Sequence, residues 1–139
     1  MISLQHINID LPVLDERKIT QWIRSVVAIF DKKLAHINYI FCDNETILAM
    51  NRKYLQHDYY TDIISFDESQ AAHIAGDIFI SLDTVKENAD SYQVDYQEEL
   101  LRIMIHGVLH FCGLKDDDAM EASTMRKHEN QALAAYKTL

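Results

Sequence analysis

Proline occurs once and cysteine twice in the 139 residues, and acidic side chains outnumber basic ones by 22 to 13. Cys42 and Cys112 both sit in apolar segments. Two such thiols suit free, buried cysteines in a reducing compartment better than a disulfide scaffold. No run approaches the ~18 apolar residues of a membrane-spanning helix, and the N-terminus lacks the charged-then-apolar pattern of a leader peptide, so a cytoplasmic protein is expected. The formal charge of −9 argues against the broad basic face by which proteins displace counterions from nucleic acid. Contacts with RNA would have to be local or assisted by a partner. Internal repeats, low-complexity tracts and linkers are also missing, and the length fits one domain over residues 1–139. A hydrophobic fraction of 48% is ample for a single core.

What is present alternates short strands with helices. Residues 2–9 alternate in polarity and read as a strand, and Pro12 falls in the turn after it. Asp15 can cap a helix running to about residue 34, since Ile19, Trp22, Ile23, Val26, Val27 and Phe30 recur at helical spacing. Trp22 is expected to anchor the core. Residues 36–42 are rich in β-formers, and Asp43 or Asn44 can cap a short helix to about residue 54. A polar loop, a strand over 63–66 and another over 76–81 follow. Asp83 then starts a modest helix, and a last helix runs over 119–136 behind the acidic run Asp116-Asp117-Asp118. The fold class expected is α+β: helices packed on a small mixed β-sheet around a buried central helix.

That central helix spans residues 95–112. Asp95 and Glu98 have capping-box spacing, and Gly113 is the residue type that closes a helix in a left-handed turn. Its apolar residues cover most of its circumference, yet His106 and His110 lie one turn apart on one face. Taken alone, such a pair is best explained by two histidines that each donate to a carbonyl or carboxylate. Three neighbours move the balance toward a metal. Gly113 and Asp116 follow at the offsets of a zincin-like layout, His-x3-His-x2-Gly-x2-ligand. Gly107 costs about 1 kcal/mol of helix propensity relative to Ala, and would leave room for close approach beside the ion. His106, His110 and Asp116 thus form a candidate three-ligand site with a fourth position for water. Peptidase chemistry is disfavoured, because Gly107 stands where HExxH enzymes carry their glutamate base.

These residues resemble a known family. His-Gly-Val-Leu-His-Phe-Cys-Gly-Leu-Lys-Asp is similar to the HGxLHLxGYDH signature of YbeY-type endoribonucleases, the 16S ribosomal RNA maturation factors. Asn51, Tyr54 and Asp58, followed by Thr61-Asp62-Ile63-Ile64-Ser65-Phe66, resemble the family's NxxYR…D…TDVLSFP stretch. Gly76-Asp77-Ile78 resembles its GDI segment, and Met125 with Glu129 its MxxxE. The resemblance implies a single-strand-specific, metal-dependent endoribonuclease of the cytoplasm. Such an enzyme acts in 16S rRNA 3′-end maturation and ribosome quality control, with ribosomal partners. It also implies one Zn²⁺ on His106, His110 and Asp116, although another divalent ion also suits this set. The sequence departs from the family at several places. Asp116 replaces the third histidine, Leu114 and Lys115 replace the preceding tyrosine and aspartate, and Tyr60 and Asp67 replace flanking prolines. Leu55 stands where the family has an arginine suited to a phosphate, leaving Arg52, Lys53 and Lys115 as candidate RNA contacts.

Other roles stay open on sequence. Asp62 and Ser65 could line a cleft or form the polar side of a loop-to-strand junction. Asp77 is expected to bond backbone near Gly76. Glu129 reads more readily as a solvated helix residue than as an acceptor orienting a ligand histidine. His36, His57, His73 and His128 carry no assigned role. Two other functions fit the composition: a non-catalytic ribosome-assembly factor with a structural zinc, and a metal-dependent hydrolase of a small molecule.

Overall fold

A computed structural model describes residues 1–56 and 61–139. His57, Asp58 and Tyr60, which enter the family comparison or the histidine inventory above, lie outside the described residues. In chain order the elements are β1 (Ile2–Ile7), α1 (Glu16–Ile29), β2 (Lys33–Cys42), α2 (Asn44–Leu55), β3 (Ile63–Asp67), β4 (His73–Ser81), α3 (Leu82–Tyr92), α4 (Tyr96–Phe111) and α5 (Ala119–Lys137). The strands form one sheet in the order β1-β2-β4-β3. β1 and β4 run parallel to β2, and β3 runs antiparallel to β4. The architecture is therefore α+β on a mixed sheet, as the order of elements predicts.

Strand periodicity sorts the core into two layers. Ile37, Tyr39 and Phe41 of β2 and Ile74, Ile78 and Ile80 of β4 join the main cluster with α1, α4 and α5. Cys42, Ile64, Phe66 and Phe79 form a smaller cluster with Ile47 and Met50 of α2. Trp22 is fully buried, and its indole N–H donates to the Ala132 carbonyl at 2.7 Å. A polar chain crosses three strands, from Ser3 Oγ to Asn38 Oδ1 (2.7 Å) and from Asn38 Nδ2 to Asp77 Oδ1 (2.9 Å). Asp77 thus serves the sheet through a side chain, not through backbone near Gly76.

Several boundaries fall elsewhere than periodicity places them. α1 stops at Ile29, because Asp31 adopts a left-handed φ of 57° and Lys33 already bonds Ala72 O at 2.8 Å. Leu34 belongs to β2. β1 ends at Ile7 because Asn8 turns left-handed at φ 58°, a conformation that short polar side chains tolerate. Ser81, not Asp83, caps α3, accepting from Thr84 N at 3.3 Å. The Asp83 carboxylate instead accepts from Asn44 N at 3.0 Å, tying the starts of α2 and α3 together.

α4 is the hub. Asp95 caps it by accepting from Glu98 N at 3.2 Å. Gly113, at φ 107°, lets the chain reverse so that Leu114 N reaches Leu109 O at 3.1 Å. Tyr39 Oη donates to Met104 O at 2.9 Å, fixing the helix over β2. The reason for Gly107 differs from the one its sequence neighbours suggest. A β-carbon there would lie 2.9 Å from Ile78 Cδ1 and 3.2 Å from Ile63 Cδ1. The glycine lets α4 settle against β3 and β4, and makes no room beside the histidines. Gly107→Val should accordingly destabilise the metal-free protein by about 1–3 kcal/mol through overpacking. Chemical denaturation with the ion chelated away measures this; unchanged stability would return the glycine to the metal side.

Candidate metal centre

His106 and His110 project from the last two turns of α4, each only part-buried in an otherwise apolar helix. Their outer nitrogens are committed to protein acceptors. His106 Nδ1 lies 2.6 Å from Glu129 Oε2, and His110 Nδ1 lies 2.8 Å from Leu114 O. A carboxylate and a carbonyl can only accept, so each imidazole carries its proton on Nδ1 and turns the Nε2 lone pair inward. The two Nε2 atoms face each other at 2.9 Å. Two lone pairs at that distance repel unless a proton or a metal cation lies between or beside them. Asp116, delivered by the reversal at Gly113, brings Oδ2 to 3.3 Å from His106 Nε2 and 3.6 Å from His110 Nε2.

The donor set fits a small divalent ion. Ligands bonded at 2.0–2.1 Å around a tetrahedral ion stand about 3.3 Å apart, and the three separations here bracket that value. One ligand atom from each of the three residues lies within 4.8 Å of the others. Asp116 is the most exposed of them, so the site opens toward solvent on its side.

Behind His106 stands a charged layer that the sequence only partly revealed. Glu129 of α5 is 5% exposed, which contradicts its reading as a solvated helix residue. Its Oε1 accepts from Arg102 Nη1 at 3.1 Å, and Arg126 Nη1 stands at 3.8 Å. Burial pushes the Glu129 carboxyl up, but the His106 hydrogen bond and charge, with Arg102 and Arg126, hold it below its ordinary value. For His106 burial favours the neutral ring, yet Glu129, Asp116 and Asp62 together raise its proton affinity. A metal at Nε2 draws on the same basicity.

A cavity of about 170 Å³ adjoins His106, lined among others by Asp62, Asn88, Tyr92, Glu99 and Arg102. Asp62 therefore lines a cleft, whereas Ser65 sits in β3 opposite Ile78 of β4. Arg102 and Glu99 were missed in the sequence, although a signal existed. Glu99, Arg102, His106 and His110 recur at spacings of three, four and four, one polar stripe on an apolar helix. Of the candidate RNA contacts, Lys53 lines a separate groove with Ile7, Met50 and Tyr54. Arg52 shares α2 with it, while Lys115 is exposed in the loop beside Asp116. Leu55, at the end of α2, is exposed as well.

The family model described as Endoribonuclease YbeY matches residues 5–137. The chain belongs to the YbeY family. A Parabacteroides distasonis relative named Endoribonuclease YbeY is 50% identical over 127 residues, covering 91% of this chain and 89% of its own. A Bacteroides fragilis relative of the same name is 48% identical over 136 residues, 98% of each chain. The fold is shared with the solution structure of TM1509 from Thermotoga maritima, at a TM-score of 0.66 and 20% identity over 99% of this chain and 93% of that one. Within this YbeY-family chain, Glu129 should tune the ion through His106. Glu129→Gln is expected to weaken metal affinity about 10–100-fold in competition titrations against a chromophoric chelator. Unaltered affinity would leave Glu129 a purely structural residue.

Proposed function

We propose that this chain is a single-strand-specific, divalent-metal-dependent endoribonuclease acting as one domain. Its substrates are ribosomal RNA precursors in the cytoplasm, including the 16S rRNA 3′ end, and its work extends to ribosome quality control. The observation that carries the reading is the convergence of two imidazole Nε2 atoms and one carboxylate, with a cavity adjoining His106, in a chain whose relatives are named endoribonucleases. His106, His110 and Asp116 hold the ion. Zn²⁺ is the best match to two imidazoles and one carboxylate, and a carboxylate-tolerant ion such as Mn²⁺ also suits them. When bound, such an ion supplies a Lewis acid for a phosphoryl oxygen and lowers the pKa of water.

The chain's own residues do the rest. Glu129 and Leu114 O fix both imidazole tautomers, and Arg102 holds Glu129 in place. The −9 charge favours a protein that meets RNA locally at this centre, with a ribosomal partner presenting the strand.

Zinc-loaded protein should cleave a single-stranded RNA oligonucleotide and leave its duplex intact. Chelation, His106→Ala or His110→Ala should each reduce cleavage at least ~100-fold, and re-addition of the ion should restore only the chelated wild type. Equal activity in wild type and His106→Ala would place the cleavage elsewhere and end this reading.

A further inference from the structure

The nuclease reading leaves the proton unaccounted for. Hydrolysis of a phosphodiester needs an acceptor for the proton of the attacking water, and the position after the first histidine is Gly107, packed on Ile78 and Ile63. Gly107 offers no acceptor. Three carboxylates line the cavity beside His106: Asp62, Glu99 and Glu129. Glu129 has both oxygens engaged, one with His106 at 2.6 Å and one with Arg102 at 3.1 Å. Glu99 is 5% exposed and stands two helical turns from His106 along α4. Asp62 enters from a different element, just ahead of β3, and is only part-buried.

Resting on the nuclease reading above, we propose that Asp62 is the general base of the reaction, taking the proton from the attacking water. Its placement is specific. Ser81 N donates to Asp62 O at 2.9 Å, pinning the backbone to the end of β4. Asn88 Nδ2 of α3 stands 3.5 Å from Asp62 Oδ2 and limits its rotation. Asp62 and His106 line the same cavity of about 170 Å³, room for on the order of six waters. A water there can stand beside both the Asp62 carboxylate and the His106 ring. The charged groups facing this space are His106, Glu99 and Arg102 from α4, with Arg126 and Glu129 from α5. Burial raises the Asp62 carboxyl above its ordinary value, against the opposing pull of its own backbone hydrogen bond and of His106. That shift makes it a better proton acceptor than a solvated aspartate.

The step balances. The water O–H proton passes to Asp62 as the water oxygen bonds to phosphorus. The bond from phosphorus to the leaving ribose oxygen breaks, that oxygen takes a proton from solvent, and Asp62 returns its own proton to solvent.

The test uses full-length, zinc-loaded protein in single-turnover cleavage of a single-stranded RNA oligonucleotide. Asp62→Asn should lower the cleavage rate by about 10²–10⁴-fold, with zinc stoichiometry, RNA affinity and melting temperature unchanged. Formate added to Asp62→Gly should restore activity by roughly tenfold or more, since a small carboxylate can occupy the vacated space. Three results would overturn the assignment: wild-type rates in Asp62→Asn while His106→Ala is inactive, a loss that tracks zinc content, or a loss that formate leaves untouched. Wild-type protein that binds zinc but cleaves no RNA would instead remove the nuclease reading, and this base with it.

Discussion

The hydrogen bond from His106 Nδ1 to the buried Glu129 Oε2, 2.6 Å long, is the constraint on which the centre rests. An imidazole can present a lone pair on either nitrogen, and only the partner of the other nitrogen decides which. Glu129 makes that decision for His106, and Leu114 O makes it for His110. With an Nδ1 proton turned outward on each ring, the two Nε2 atoms at 2.9 Å face each other and call for a proton or a metal cation between them. The carboxylate of Asp116 completes an electron-rich corner shaped to receive a cation. Arg102 matters through the same bond, because a buried Glu129 with no counter-charge would be costly and would lose its defined orientation.

The protein meets a conflict in putting this corner on its most buried helix. α4 must pack against β3 and β4 on one side and against α1, α3 and α5 elsewhere, yet must carry Glu99, Arg102, His106 and His110. The conflict is resolved by segregation. The polar residues share one stripe, and α5 and α3 supply compensating charge and amide groups along it. Gly107 lies on another side, where its missing side chain lets the helix settle on Ile78 and Ile63. Close packing of α4 on the sheet keeps the histidines at fixed height over the loop that returns Asp116. Rigidity of the core thereby becomes precision at the site.

Much of this was legible in the residues. Apolar periodicity, β-former content and capping residues together gave the identity of the helices and strands among the described residues, because burial of one face and satisfied ends are what each element needs. The boundaries were less legible at Asn8 and Asp31, where left-handed turns at non-glycine residues end β1 and α1. Such turns carry only a weak local signal, and pairing with Ala72 decides where β2 begins. The reading of Gly107 failed for a related reason. A glycine next to a histidine invites a local explanation, whereas the atoms that need its space come from residues 29 and 44 positions earlier in the chain.

Sequence by itself determined the candidate trio, since helical spacing puts His106 above His110 and a glycine stop returns the chain to Asp116. It also determined the α+β class and the kinship of the motifs. Only the tertiary structure decided that Glu129, 23 residues past His106, is buried against it, and that Asp62, just ahead of β3, faces the same cavity. Spacing along a helix is fixed by covalent geometry and 3.6 residues per turn. Contacts between α5, α4 and the start of β3 depend on how separate elements dock, and nothing local in the chain encodes that.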